Sequence, residues 1–382
     1  MLKIIPMFLL LLTLIACQEP TSNGNDDPIN QEPISEEGRL FERGVFGESQ
    51  FYEYAPAFFE DEHGVRHIYY CTNRLEGNIT DYIGYRTGVR QSDGSWVYSE
   101  PEFVLASTPD TWDSRHVCDP AVVKGQFGYH GETYQYLMAY LGCVTSNNQE
   151  NMVGLAVAME PGGPWIKVEE INPIAEYVRN TDPDVMHRFQ WGYGQPALLS
   201  IDKASRVILA YTFGNGLRTG TIIERWDFSD LLNPVLEEER IMTERGLINL
   251  LGGQDFANNA DFLYDPVTDR IYMVTEDHPH DSEYPDFITT SLKVVFMHGN
   301  GGEPGSVLFN PEGRSWNEIA KINHSVTGFD RNHNSGFLRD PYGWILESGV
   351  LPVAYTSSNI SYTLWHNLSQ YRLHLHIIEV DE

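Results

Sequence analysis

Asp119 and Asp261 stand in two short segments of similar pattern, CDPAVV (Cys118–Val123) and NNADFL (Asn258–Leu263). Two carboxyl groups brought to one cavity can divide acid and base work, one donating a proton and the other taking a proton from water. A carboxyl group in a narrow, partly dry channel beside another charge holds its proton more tightly. Asp261 beside Asp119 is therefore the expected proton donor. Gln195 and Asn259 occupy matching places in related segments. Their amides orient hydroxyls but supply neither acid nor base at neutral pH. Tyr54, Glu276, His333 and Asn334 lie in the same kind of segment or at the end of its partner strand, and complete the expected ligand contacts. Arg331, in FDRNHNS, carries the forked donors that grip a carboxylate-bearing sugar or a sulfate. Asp255, Asp113, His116 and Asp330 lie in neighbouring loops as further candidates, although charged loop residues are most often solvated or structurally paired.

These residues share faces because the segments repeat. YAPAFF (Tyr54–Phe59), CDPAVV, GQPALL (Gly194–Leu199), NNADFL and HNSGFL (His333–Leu338) align on Pro56, Pro120, Pro196, Ala260 and Ser335. The copies lie roughly 70 residues apart, a spacing expected of repeat architectures. Each is followed by a turn and a second apolar strand: HIYYCT, YLMAYLG, VILAYT, IYMVTE and VAYTSS. An antiparallel hairpin repeated five times, with more strand-like sequence between copies, predicts an all-β fold, a five-bladed β-propeller. The first strand of each blade should line the central channel. Alternation places Ala57, Ala121, Ala197, Asp261 and Gly336 on one face, with Ala55, Asp119, Gln195, Asn259 and Asn334 two residues earlier. Phe58, Val122, Leu198, Phe262 and Phe337 should pack between blades. No long helix is expected. Arg39–Phe46 is expected to add a strand that helps close the ring.

The formal net charge is −29 at pH 7, which excludes nucleic acid and anionic membrane surfaces as partners and leaves neutral sugars, cations or basic partners. Residues 1–16 read as a targeting segment, with Lys3 ahead of the apolar run Ile4–Ile15. Its end, Leu14-Ile15-Ala16-Cys17, resembles the lipobox of bacterial lipoproteins. That resemblance implies cleavage before Cys17 and lipid on its sulfur. The membrane would then be met through the N-terminal lipid only, at the bacterial cell envelope. Residues 17–38 form an acidic polar tether, and residues 39–382 the propeller. Cys118 and Cys143 lie at ends of one hairpin that antiparallel pairing brings together. A disulfide between them and a pair of buried thiols both fit the sequence.

Three passages resemble the five-bladed glycoside hydrolases of family 43 and their relatives: CDPAVV, GLAVAMEPGGPW (Gly154–Trp165) and NHNSGFLRDPYG (Asn332–Gly343). The resemblance implies inverting hydrolysis of arabinose- and xylose-containing glycans. Such chemistry uses two carboxyl groups about 6.5–9.5 Å apart. In the family a third carboxylate raises the acid's pKa, and Asp119 matches that position. The matching base and acid positions hold Ala55 and Gln195, which are not carboxylates. His333 matches a histidine that in many relatives lies near a channel calcium or a water cluster, so the resemblance leaves open calcium beside His333 as a cofactor or a hydrogen-bonded structural histidine.

The leading expectation is a lipid-anchored, divergent glycoside hydrolase with a carbohydrate ligand. Two alternatives are a non-catalytic glycan-binding surface lipoprotein, which accounts directly for the two missing carboxylates, and a structural envelope protein. Two cleft-facing carboxyl groups within reach of one sugar favour hydrolysis; a single one favours binding.

Overall fold

The computed structural model describes residues 38–39, 52–74, 77, 79–361 and 363–380. Cys17, the targeting segment and all of the tether except its last residue lie outside the described residues. The chain is all-β, with short helices at Ser306–Phe309, His324–Thr327 and Leu364–Leu368. No helix among the described residues is long and apolar enough to cross a membrane.

Three four-stranded antiparallel sheets stand alone. They begin with His116–Tyr129, Gly192–Ser200 and Asp261–Asp265. The remaining nine strands form one sheet. It divides where Arg331–Arg339 touches Tyr54–Glu60 in parallel through only two pairs, Leu338↔Phe58 and Arg339↔Phe59. On one side lie Tyr54–Glu60, Val65–Thr72 and Tyr82–Arg90 with two short outer strands. On the other lie Arg331–Arg339, Val350–Ser358 and Arg372–Glu379, whose outer neighbour is Gly38–Arg39. The N-terminal end of the described chain therefore completes the group made by the C-terminal end. The pairing covers Gly38 and Arg39; of the stretch Arg39–Phe46 expected to close the ring, only Arg39 lies among the described residues.

Strands such as Arg206–Gly214 are buried along nearly their whole length. Sheets covered on both faces select continuous β-branched and aromatic runs such as VILAYT. Apolar clusters fill the spaces between consecutive groups. Val122 lies in the cluster joining groups one and two, and Leu198 in that joining two and three. Phe262 joins three to four, Phe337 four to five, and Phe58 five back to one. Each fully buried side chain of this size contributes roughly 1.5–3 kcal/mol. Gly336 permits a close approach of groups five and one, since a Cβ there would meet the Pro56 carbonyl oxygen at 2.3 Å.

One backbone irregularity recurs in every group. Ala55, Asp119, Gln195, Asn259 and Asn334 all have left-handed backbones, with φ of 51°, 45°, 49°, 49° and 42°. In four groups the ladder slips at this point, a β-bulge of the kind that re-aims side chains near functional sites. In group four the strand starts later than its repeat suggests, at Asp261. There Thr275 Oγ1 accepts from Asn258 N–H and donates to the Asn258 carbonyl, replacing ladder bonds.

Three of the bulge amides bind the second strand of the preceding group. Ala55 N–H donates to Thr356 Oγ1, and Asn259 N–H to Thr212 Oγ1. Asp119 N–H donates to Cys71 Sγ. Between groups one and two a covalent link is added at the same place, a Cys71–Cys118 disulfide. Cys118 is thus neither a free thiol nor bridged to Cys143. Cys143 faces His116 in the ladder while Cys118 faces Leu141, so the two cysteines do not stand opposite one another, and Cys143 is free and buried.

The disulfide closes a separation of 47 residues. Loop-closure entropy for that length gives about 4 kcal/mol, and disulfides typically contribute about 2–4 kcal/mol. The Cys71→Ser/Cys118→Ser double variant should lose that amount in urea denaturation, with little change when Cys143→Ser is made alone.

Candidate active site

The bulge residues stand between two cavities. Below them is a narrow one of about 20 Å³, lined by small residues such as Ala57 and Ala121 and by Asp261 and Arg339. Above them opens a cleft of about 870 Å³ whose lining includes Tyr54, Asp81, His116, Asp119, Gln195, Glu276, His280, Asn334 and Tyr371. Asp119 and Gln195 line both. The rings of Phe189, Tyr284 and Phe287 also line the cleft and are 58%, 37% and 48% exposed, so aromatic surface is available there to stack on a ligand.

Asp119 is a buried carboxyl group on the cleft floor. Burial pushes its pKa up to about 7, and the nearby charge of Asp81 adds to this. The Gln195 backbone amide acts the other way, and Glu276 adds a smaller upward push. Near neutrality the group therefore still carries its proton much of the time.

Asp81 and His116 were not foreseen as a pair. Asp81 precedes the strand Tyr82–Arg90, and nothing in its sequence neighbourhood distinguishes it from a solvated loop carboxylate. The structure buries it, with Tyr52 donating to Oδ1 at 2.6 Å and His116 Nδ1 lying 3.0 Å from Oδ2. The Asp81 N–H also donates to His116 Nδ1 at 3.1 Å.

Glu276 ends the second strand of group four and reaches the cleft from the side. Asn258 Nδ2 donates to Oε2 at 2.8 Å and Asn259 Nδ2 to Oε1 at 3.2 Å. Burial alone would raise this carboxyl, but His280 and His278 outweigh it and hold it down to about 2. Burial likewise opposes charge on His280, and Glu276 reverses that, raising the imidazole above its ordinary value. The TEDHPHD segment that carries Glu276 also carries both histidines, a signal visible in the sequence.

Other expected residues are placed differently. Asp261 does not line the cleft. Its Oδ2 accepts from Phe337 N–H at 2.8 Å and its Oδ1 from Arg339 at 3.1 Å, so the carboxylate ties group four to group five. Arg331 is buried and spends donors on the carbonyls of Asp330 and Glu283. His333 is fully buried behind the cleft, with Nδ1 2.6 Å from Asn334 Oδ1 and its ring against Tyr371. Burial pushes it down to about 4, so it is neutral. Tyr54 lines the cleft, its hydroxyl directed at Cys118 Sγ and kept protonated by burial and by Asp81. Asp113 is paired with Lys167, and Asp255 with Lys293 and His278.

The resemblance leaves open calcium beside His333. Calcium takes six to eight oxygen ligands. Among the described residues His333 belongs to no group of three converging His, Cys, Asp or Glu donors, and Asn334 Oδ1 is already engaged with its Nδ1. This donor set does not fit calcium.

No protein-family model matches the chain, and no curated protein matches it. Solved structures do. An α-L-arabinofuranosidase from Podospora anserina, in complex with cellotriose, aligns with TM-score 0.54 and 12% identity over 90% of this chain and 95% of that one. A family 117 glycoside hydrolase produced by the marine bacterium Zobellia galactanivorans gives 0.53 and 11%, over 90% and 91%. A GH43_1 enzyme from Xanthomonas citri, complexed with xylotriose, gives 0.52 and 13%, each over 89%. The likeness establishes a shared all-β, propeller-like fold.

The Asp119 environment has a stability consequence. Its folded pKa of about 7 lies above the unfolded value, so the native state keeps a proton that the unfolded chain releases. That term weakens the fold as pH rises from about 4 to about 7 and is level above. Asp119→Asn removes it. The variant should gain on the parent by about 1–4 kcal/mol between pH 4 and pH 8, read by urea denaturation at both. A constant difference across that range would show that the carboxyl titrates normally.

Proposed function

We propose that the chain is a five-bladed β-propeller that hydrolyses arabinose- or xylose-containing oligosaccharides, with Asp119 as the proton donor. The observation that carries this reading is the cleft floor itself, where a proton-holding Asp119 shares one cavity with Asp81 and Glu276. Five blades are supported by the five left-handed bulges and by the apolar clusters that run from group one round to group five and back. The sugar class is supported by the solved structures that share the fold, an arabinofuranosidase and an enzyme complexed with xylotriose among them.

In this reading Asp119 protonates the leaving glycosidic oxygen. Asp81, oriented by Tyr52 and His116, takes a proton from the attacking water. The water's oxygen bonds to the anomeric carbon as the bond to the leaving oxygen breaks. Gln195 and Asn334 hold sugar hydroxyls, and Tyr54 and Tyr371 wall the site. Asp261, expected as the donor, serves instead to join groups four and five. A second reading, glycan binding without turnover, is favoured by one observation: Ala55 and Gln195 occupy two bulge positions that carry carboxylates in the resembled family.

Cys17 as a lipidated mature N-terminus belongs to the same proposal, supported by the Leu-Ile-Ala-Cys sequence and the polar stretch after it. Cys17→Ser should leave the leader uncleaved or move the protein out of the membrane fraction. Unchanged processing and retention would remove the anchor from the account.

The activity is tested by incubating the purified protein with arabino- and xylo-oligosaccharides while measuring product release and binding. Asp119→Asn should lower kcat by about 10²–10⁴ with binding retained, and Asp81→Asn should do the same. The parent's rate should fall as pH rises past about 7, where Asp119 loses its proton. Turnover unaffected in both variants refutes the catalytic assignment. Binding without any product from the parent establishes the second reading.

A further inference from the structure

Beside the cleft, three side chains of one short segment converge. Ligand atoms of Glu276, His278 and His280 all lie within 4.8 Å of one another. Glu276 Oε2 is 3.6 Å from His280 Nε2. His278 is 7% exposed and its Nε2 has no hydrogen-bond partner among the described residues. A buried imidazole nitrogen without a partner is costly unless something occupies it.

His278 is also held as a metal ligand is held. Its Nδ1 lies 2.8 Å from Asp255 Oδ1. Lys293 pairs with the other Asp255 oxygen, which keeps the carboxylate an acceptor. In its neutral form the imidazole therefore donates from Nδ1 and leaves a lone pair on Nε2. Histidines that bind metals usually rest on a carboxylate or carbonyl in this way, which fixes tautomer and ring direction. Phe256 stacks on the same ring at 4.0 Å between centroids. The ring is thus fixed before any ligand arrives.

We infer that Glu276, His278 and His280 form a binding site for a borderline divalent transition-metal cation of the zinc class. Two imidazoles and one carboxylate are a donor set that zinc accepts, at bond lengths of about 2.0–2.2 Å. The same set is too poor in oxygen for calcium or magnesium. A tetrahedral ion with such bonds spaces its ligands about 3.4 Å apart, so a closing movement of about 1 Å or less per ligand completes the site. Three protein ligands leave one position open. Glu276 and His280 both line the cleft, so that position is reachable by a water or a ligand oxygen. The inference is independent of whether the cleft hydrolyses anything.

The test uses the full chain, purified in detergent without a polyhistidine tag and stripped with a chelator. Equilibrium dialysis against zinc chloride, read by elemental mass spectrometry, should give one tightly held zinc per chain. His278→Asn and His280→Asn should each weaken it by more than the roughly 10–100-fold that loss of an outer partner costs. Calcium chloride at equal concentration should not displace it. In the unaltered chain, zinc should protect His280 from diethyl pyrocarbonate, a readout that stands even if a variant fails to fold. Absence of stoichiometric zinc, equal zinc affinity in folded variants, displacement by calcium, or an unprotected His280 would each overturn the assignment.

Discussion

The fold depends on one recurring backbone strain and the hydrogen bond that satisfies it. Five non-glycine residues hold a left-handed conformation at the same place in each strand group. Such residues cost of order 1–3 kcal/mol each and persist only where their surroundings over-determine them. Here the bulge amide of one group is received by the second strand of the group before it, at Thr356, Cys71 and Thr212. The strain therefore sets up the contact between neighbours, and breaking one bulge would loosen two groups. Between groups one and two the same junction carries the Cys71–Cys118 disulfide as well.

The exception to this pattern makes the site. In group two the residue facing the bulge strand is Leu141, which offers no acceptor to the following group. The Gln195 amide, three of whose counterparts find Thr or Cys, turns instead to the Asp119 carboxyl. One apolar substitution in a structural series thus redirects a backbone donor onto the cleft floor. That donor eases the burial of Asp119, though not enough to offset desolvation and the charge of Asp81.

Much of this was legible. The five aligned segments located all five bulge residues, because Pro, Ala or Ser follows each of them and the apolar residue two places further on must be buried. Phe58, Val122, Leu198, Phe262 and Phe337 each enter a different cluster between groups. Alternation could not show that the strand slips at the bulge, so it does not show that Asp119 reaches the cleft while Asp261 stays in the narrow cavity. Both line the narrow cavity, only Asp119 also lines the cleft, and Arg339 claims Asp261. The cysteine pairing was missed for a different reason: hairpin geometry speaks only of partners within one group, and Cys71 comes from the group before. Asp81 carried no sequence signal, because its burial is decided by Tyr52 and His116, distant in the chain.

The cleft draws its carboxyl groups from outside the bulge ring as well as from it. Ring positions supply only Asp119, with alanine, glutamine and two asparagines elsewhere. Asp81 enters from the loop before a third strand and Glu276 from the end of a second strand, so three acidic groups still meet in one cavity. They are not equivalent. Glu276 is matched by His280 and by two asparagine amides, and stays ionised. Asp119 has one backbone donor and two like charges near it, and near neutrality still carries its proton much of the time. Carboxyl groups driven apart in this way can do different work at one pH, which a ring of identical acids in identical surroundings could not. Replacing ring carboxylates by amides therefore leaves acid–base chemistry possible. It moves the burden to side chains whose environments, rather than whose repeat positions, set their protonation.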